Sequence, residues 1–401
     1  MVTRWAGRPA GLPRRAGGEA GGLRQLLKAV LFIAWTVLPI EWSWAIEPAQ
    51  DHVEAGYNYY HGGGVTVTGP AVIVQKNILN GATLKAGYTV DIVSSASIDV
   101  VTQASPFKET RTEYSVGTDI LRGDTLVGVD YINSRESDYL SDTLSVRMAH
   151  DLFDKNMTVS LKVDRSWDQV GKNHDPSFGW KNFDRTIYAA GVTQSVTPRW
   201  LIQLNYELTA DAGLINNPYR SAIVSSGGIG SYVPENYPDA RTGQAWAVRT
   251  SYGFPSGGSD AGYGGILGSI QLDYRYYQDT FDVHSNTVKV TLQRYFYLNW
   301  LGGVFYQYYW QDAASFYGDV LPPNQLYKAR DKELSQFHDQ WVGLTLQYKL
   351  KQTQWGIIRN PYIQISNSWM VFNYDNFTDP RTGALYSQRV YVLQTDFGFN
   401  Y

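Results

Sequence analysis

Apolar and polar residues alternate with a period of two along most of this chain, and this pattern limits the possible folds most strongly. In residues 82–92 the even positions are apolar or aromatic, whereas the odd positions carry threonine, lysine, glycine and aspartate. Residues 157–164, 200–208 and 342–349 repeat the alternation. Successive side chains of a β-strand point to opposite faces, so each segment predicts a strand with one apolar and one polar face. The chain is therefore expected to be all-β.

The alternating segments number about sixteen, and the connections between them differ in length. Predicted strands cover 53–60, 71–78, 82–92, 110–121, 125–133, 141–150, 157–165, 185–195, 200–209, 243–252, 266–278, 286–297, 301–311, 337–349, 357–371 and 387–401. Tight links are expected at 79–81, 122–124, 151–156, 196–199, 298–300 and 350–356. Long links fall between them at 93–109, 166–184, 210–242, 312–336 and 372–386, and the Gly-rich link 253–265 is long where a tight one is expected.

Tight turns at one end and long loops at the other indicate a transmembrane antiparallel up-and-down β-barrel, with short periplasmic turns and long extracellular loops. Aromatic residues on one face of the last strand, which ends at Tyr401, resemble the signal that the barrel assembly machinery reads during biogenesis. Outer-membrane lipid would then surround the apolar face. A soluble β-sandwich or propeller is the alternative fold with the same alternation.

The N-terminal segment has the features of a signal peptide. Six basic residues precede an apolar run at 29–40, which is shorter than the roughly 20 residues that a membrane-spanning helix needs. Ser43 and Ala45 supply the small residues of a cleavage site. We therefore expect residues 1–45 to be a signal peptide, residues 46–401 to form the barrel, and the protein to be exported to the outer membrane.

Composition argues against several classes of function. The net charge of −3 gives no basic surface for nucleic acid, and the absence of cysteine excludes thiolate metal sites and disulfides. The six histidines are scattered without the spacing of metal ligands, so neither a metal nor a cofactor is predicted. An enzyme is not expected either, since no Gly-x-Ser-x-Gly motif occurs. An outer-membrane lipid or ester hydrolase with a loop-assembled site is the alternative.

The polar faces of the strands would line the lumen of such a barrel. Eight basic positions are expected there: Lys85, Arg111, Arg147, Lys162, Arg249, Arg275, Lys289 and Lys349. Eight acidic positions balance them: Asp91, Glu113, Asp119, Asp130, Asp164, Glu207, Asp273 and Asp396. A balanced lumen predicts weak charge selectivity if it conducts, or a network of ion pairs if it is closed.

A polar-aromatic cluster is expected at the outer rim of the lumen. Its members are Arg275, Tyr277, Asp279, Tyr309 and Gln311, on two strands that are close in sequence. These residues are candidates for a lumen constriction. The alternative, which we favour, is a hydrogen-bonded network that holds loop 312–336 inside the mouth.

The long link 210–242 contains a second candidate segment. Asn217, Pro218, Tyr219 and Arg220 lie in its first third. Long ordered loops on a rigid scaffold commonly carry function, so these residues are candidates for a gating or partner-binding loop.

Several stretches resemble a bacterial family known only as domain of unknown function 3570. The clearest are 191–200 and 211–220, with shorter matches at 153–158, 238–241, 274–279, 285–287 and 306–317. The resemblance implies an outer-membrane barrel and supplies no activity. Together with the alternation, it leaves two main expectations: a porin-like channel, or a barrel scaffold for envelope protein partners.

Overall fold

A computed structural model describes residues 50–79, 81–95, 107–226, 228–256, 265–297, 299–350 and 356–401. The predicted signal peptide, residues 1–45, lies outside the described residues. No helix in these ranges is long and apolar enough to cross a membrane.

Sixteen antiparallel strands close into one barrel, which confirms the predicted fold class. Strands β1 to β9 are His52–Gly62, Val65–Leu79, Ala82–Ser95, Phe107–Arg122, Thr125–Arg135, Tyr139–Leu152, Met157–Val170, Lys181–Thr197 and Trp200–Gly213. A separate hairpin of β10 (Ser221–Ser226) and β11 (Ile229–Pro234) follows. The barrel resumes with β12 to β18: Ala240–Pro255, Ile266–Asp279, His284–Tyr297, Trp300–Gln311, Phe337–Lys349, Arg359–Thr378 and Leu385–Asn400. Each strand pairs with its neighbour in the barrel, and β18 pairs with β1.

Alternation along each strand sorts the side chains into an outer and an inner face. On β6, Val146 and Met148 expose 43% and 45% of their surface, whereas Ser145 between its apolar neighbours exposes only 5%. Arg147 points to the same side as Ser145 and forms ion pairs there. A closed barrel pairs the backbone groups of its strands with one another, so an apolar outer face is compatible with hydrocarbon.

The two ends of the barrel differ, as the sequence predicts. At the turn end, β4 and β5 are joined by two residues, one of which is Gly123 at φ 59°, a value that favours glycine. At the loop end, three connections are also short: those between β1 and β2, β5 and β6, and β13 and β14. Strands such as β7, β8 and β17 extend beyond their predicted limits, because backbone pairing continues where the strict alternation stops.

Two long connections at the loop end fold together into a single cap. We call residues 214–239 the first cap loop and residues 312–336 the second cap loop. The first contains the β10–β11 hairpin, which the sequence analysis did not predict. Backbone bonds join the loops: Val224 forms a parallel bridge with Leu321, and Asn236 forms an antiparallel bridge with Lys328.

Candidate functional site

A buried ion pair joins the two cap loops. Arg220 of the first loop contacts Asp331 of the second, and their side chains are 3% and 5% exposed. Asp331 also accepts a hydrogen bond from the backbone N–H of Glu333, at the start of the 3₁₀ turn Lys332–Leu334. Breaking a buried pair by removing one partner typically costs about 3–5 kcal/mol. Loss of either partner would therefore leave an uncompensated buried charge between the loops.

Glu235 and Arg330 add a second connection between the loops and extend it to the wall. The Glu235 carboxylate accepts hydrogen bonds from the Arg330 backbone N–H at 2.6 Å and from the Tyr237 hydroxyl at 2.6 Å. The Arg330 guanidinium in turn donates to the carbonyl of Thr378, the last residue of β17, at 2.7 Å. The cap is thus fixed to β17.

Tyr219 attaches the first cap loop to the opposite part of the rim. Its hydroxyl donates to Asp138 in the β5–β6 turn at 2.5 Å and accepts from the Asn173 backbone N–H at 2.6 Å. The cap therefore has anchors from β6 round to β17, an arc of ten neighbouring strands. Of the residues expected in a gating or partner loop, Arg220 and Tyr219 bind the second cap loop and the rim, and Asn217 accepts a hydrogen bond from the Tyr219 backbone N–H at 2.9 Å.

Acidic groups at this rim are strongly affected by burial. Burial raises the pKa of Asp138 to about 6, while the hydrogen bond from Tyr219 acts in the opposite direction. Burial also raises the pKa of Glu136 well above its usual range, against the opposing effect of Arg111. The pKa of the Tyr219 hydroxyl is raised by burial and by Asp138. Asp138 thus takes up a proton in the mildly acidic range.

The predicted constriction residues on β13 lie at the loop end and hold the β13–β14 turn. Asp279 pairs with Arg241 of β12 and accepts a hydrogen bond from the Tyr277 hydroxyl at 2.8 Å. Its carboxylate also accepts from the backbone N–H of Phe281 at 2.8 Å. The guanidinium of Arg275 lies 5.4 Å from the centre of the Tyr277 ring.

The predicted constriction residues on β15 hold the second cap loop. The Tyr309 hydroxyl donates to the Gln311 side chain at 2.6 Å. Gln311 then donates to the carbonyl of Glu333 at 3.0 Å and to that of Ser335 at 2.8 Å. These contacts favour the structural interpretation of the cluster, a network that holds loop 312–336, and a constriction role stays a prediction.

Charged side chains of β3 to β6 form a network that we call the ionic wall. Lys85 lies 3.1 Å from Asp119 and 2.9 Å from Asp130, and Arg147 forms ion pairs with the same two carboxylates. Gly128 makes room for this quartet, because a Cβ there would lie 2.3 Å from Asp119 Oδ1 and 2.7 Å from the Arg147 guanidinium. Nearer the loop end, Arg111 pairs with Asp91 and Glu113.

The other predicted lumen charges also alternate with outward apolar residues. Lys162 pairs with Asp164 at 2.8 Å, and Arg249 pairs with Asp273. The sequence analysis missed the pair of Arg185 and Asp211, at 2.7 Å, since their partnership depends on strand register. These pairs neutralise much of the charge on the inner face of the barrel.

Across the lumen, the inner faces of β15 to β18 and β1 form what we call the aromatic wall. Its buried residues include Trp341, Met370, Val390 and Val392, with Tyr60, Phe305 and Phe372 packed against them. Phe305 and Trp341 meet edge to face, with ring centres 5.0 Å apart. The Lys289 ammonium lies 4.3 Å from the centre of the Phe305 ring. An apolar inner surface was not predicted.

Little in the described ranges suggests enzyme chemistry. No group of three or more His, Cys, Asp or Glu residues there is arranged to hold a metal ion. Histidine contacts in these ranges include those of His52 with Asn400 and Glu54, His61 with Thr66, His150 with Thr125, and His338 with Asp375. None of these contacts joins a histidine to a serine, as a hydrolase triad requires. The hydrolase alternative gains no support from them.

The closed sixteen-stranded barrel with its capped loop end has the architecture of outer-membrane barrels. The family model described as "Protein of unknown function (DUF3570)" matches residues 162–368, and the chain belongs to this family. The resemblance found in the sequence is therefore confirmed. No curated protein matches the chain.

Two solved structures illustrate the similarity of fold. One is described as "Bacterial polysaccharide outer membrane secretin", with a TM-score of 0.50, 8% identity, and coverage of 89% of this chain and 100% of that chain. The other is CdiB from Acinetobacter baumannii, with a TM-score of 0.50, 8% identity and coverage of 87% of this chain. This chain spans only 60% of the length of the CdiB chain. At such low identity the similarity concerns the fold alone.

Proposed function

We propose that the protein lies in the outer membrane as a porin-like channel, and that its cap acts as a gate. The similarity of fold to outer-membrane barrels and the apolar outer face support this location. A barrel of about sixteen strands is wide enough for an aqueous lumen when loops do not fill it. Conduction would therefore depend on the position of the cap.

The observation that carries the gating proposal is the pairing of Arg220 with Asp331. This ion pair connects two different loops across the mouth, and both side chains are almost fully buried. Taking them apart leaves two uncompensated charges, so the docked cap has a defined closed state. Separation of the two loops would open a path to a lumen lined by paired charges.

A scaffold for envelope proteins is the second candidate function. Some apolar side chains of the cap are exposed, including Tyr232 at 57% and Leu326 at 69% exposure. Exposed apolar groups on a cap are suitable for protein contacts. In this case the cap would stay closed and the barrel would not conduct.

Conductance across planar bilayers tests the channel proposal. We expect purified wild-type protein to give small or rare current steps, and the Arg220→Met variant to give steps several-fold larger or more frequent, because the loops lose their buried pair. Asp331→Asn should act in the same direction. Arg381→Met removes an exposed arginine, which pairs with Asp379 outside the cap loops, and serves as the matched control, with wild-type currents expected.

Absence of current from the wild type and all three variants after confirmed insertion would contradict the channel proposal and favour the scaffold. Equal currents from wild type and Arg220→Met would support a channel but refute the gate. Heat-modifiable electrophoretic mobility, a property of folded barrels, would show that each variant has folded.

A further inference from the structure

Two buried polar atoms on the aromatic wall have no hydrogen-bond partner in the part of the chain that the structure describes. Asp339 and Trp341, both on β16, each expose only 2% of their surface. Among the described residues, neither Oδ2 of Asp339 nor Nε1 of Trp341 has a hydrogen-bond partner. A buried polar group without a partner is unfavourable, and such groups in native proteins usually mark a bound molecule or a function.

The two groups lie close together on the same inner face. They are two positions apart on one strand, so their Cα atoms are about 6.7 Å apart. Gln307 of β15 lies directly opposite Trp341 in the ladder and is 3% exposed. Asp339 likewise lies opposite Tyr309. The strand register thus brings a carboxylate, an indole N–H and an amide to one small area.

Aromatic rings surround this polar area. Phe305 packs edge to face on Trp341, and Phe337 lies 5.5 Å from Tyr309 and 6.2 Å from Phe372, measured between ring centres. The area therefore combines apolar ring surfaces with a few convergent polar groups. Ligand sites in proteins commonly have this combination.

The chemistry of the two unpartnered groups selects among ligand classes. An ionised carboxylate only accepts hydrogen bonds, and an indole N–H only donates them. An ammonium group would satisfy Asp339 but offers no acceptor to Trp341. An anion would satisfy Trp341 but is repelled by Asp339. A hydroxyl group satisfies both, because it donates and accepts.

We propose that Asp339, Trp341 and Gln307 form a subsite for a neutral polyhydroxylated solute, such as a sugar or sugar alcohol. Hydroxyl groups of the solute bond to the three polar side chains, and its C–H surfaces pack on the aromatic rings. The subsite lies on the inner face of the barrel close to the residues that hold the second cap loop. This inference rests on the proposed function, since the solute reaches the lumen when the cap opens.

Isothermal titration calorimetry on the detergent-solubilised full-length chain tests the subsite. The probes are glucose, sucrose and sorbitol, with choline as a cationic comparison, and titrations use both wild type and Arg220→Met. We expect saturable binding of at least one polyol and none of choline. Asp339→Asn and Trp341→Phe keep the shape of the site and should each weaken polyol binding about tenfold or more.

Asp396→Asn is the matched control, because it removes another inward carboxylate, on β18, outside this cluster. Its affinity for polyols should equal that of wild type. Absence of polyol binding, binding of choline instead, or equal affinity in Asp339→Asn and Trp341→Phe would overturn the subsite. Water alone would then occupy it.

Calorimetry measures binding and conductance measures passage, so failure of the subsite can be distinguished from failure of the channel. Polyol binding in a barrel that never conducts would refute the proposed channel and keep the subsite. Conduction without polyol binding would support the channel and refute the subsite.

Discussion

The ionic wall and the aromatic wall of the same lumen differ in how their buried carboxylates are paired. On β3 to β6, Lys85, Arg147, Asp119 and Asp130 form a closed set of ion pairs. On the aromatic wall, by contrast, Asp339 is buried, and no described residue forms a hydrogen bond to its Oδ2. The charged quartet of the ionic wall is thus paired internally, whereas the carboxylate of Asp339 has no cation against it among the ion pairs of the described residues.

This difference separates structural charge from charge that remains able to bind. Paired charges contribute little field to the lumen, because each cation lies against an anion. An unpartnered buried group keeps its capacity for a ligand. A count of lumen charges would therefore place the binding capacity on the wrong wall.

The strongest test of the comparison removes the central cation of the ionic wall. Arg147→Met leaves Asp119 and Asp130 with Lys85 alone, and we expect a loss of about 1.5–3 kcal/mol in the free energy of unfolding, the range for hydrogen bonds to charged groups. This loss is measured by unfolding both proteins in detergent and monitoring the folded fraction by heat-modifiable electrophoretic mobility. Arg147→Met introduced into a variant that conducts should also shift the reversal potential towards cation selectivity, because the lumen loses a positive charge.

Met370→Leu on the aromatic wall is the control, because a volume-conserving apolar exchange costs less than about 1.5 kcal/mol. A stability of Arg147→Met equal to that of the control would show that the quartet is dispensable. The two walls would then not differ as described.

A smaller effect is expected from the glycines of the two walls. Gly128→Ala places a Cβ 2.3 Å from Asp119 Oδ1, so the quartet must shift, whereas the Cβ of Gly303→Ala on β15 has its nearest neighbour at 3.4 Å. We expect the first variant to lose roughly 1–2 kcal/mol of stability, within the range for overpacking, and the second to change little. Equal melting temperatures of the two variants would contradict this account of the ionic wall.

The smallest effect concerns pH at the loop end of the ionic wall. Asp138 and Glu136 have pKa values raised by burial, and that of Asp138 is about 6. Their protonated forms are therefore favoured when the rim is folded. The contribution of Asp138 to stability is present at low pH and lost as the pH rises through about 6. The charged and polar groups around them are Asp91, Glu109, Arg111 and Tyr219.

We expect proteolytic cleavage within the cap of the folded barrel to be slower at pH 5 than at pH 7.5. Asp138→Asn should reduce this dependence, because an amide oxygen still accepts the Tyr219 hydrogen bond but does not titrate. The ratio of the two cleavage rates is measured with a protease that is active at both pH values. A denatured substrate serves as the reference for the activity of the protease itself. Faster cleavage at pH 5 than at pH 7.5 would contradict this prediction.

The sequence predicted the barrel well because its signal is local. Alternation identifies the inner and outer faces of each strand, and Arg147 on β6 is an example that the ion pairs bear out. Partners across strands depend on register, which alternation does not specify, so the pairing of Arg185 with Asp211 was missed.

Local sequence patterns did not predict the cap. Arg220 and Asp331 are far apart in sequence, and no periodicity connects two irregular loops. The β10–β11 hairpin was missed because its strands are short and follow no long alternation. The unpartnered state of Asp339 depends equally on what surrounds it, which only the folded barrel specifies.

A reversible lock between the cap loops tests the central claim most directly. Asn236 and Lys328 bond to each other through both backbone groups, at 3.1 Å and 2.7 Å. The Cα atoms of such a pair are roughly 5.5 Å apart, within the range of a disulfide. The chain contains no cysteine, so the double variant Asn236→Cys and Lys328→Cys would form a single defined bond.

Single-channel conductance of this double variant should be measured before and after addition of a reductant to the same bilayer. The gated-channel account predicts low conductance while the disulfide holds the loops together, and a rise on reduction. Identical currents in the oxidised and reduced states would contradict it, because the two loops would then not control the lumen.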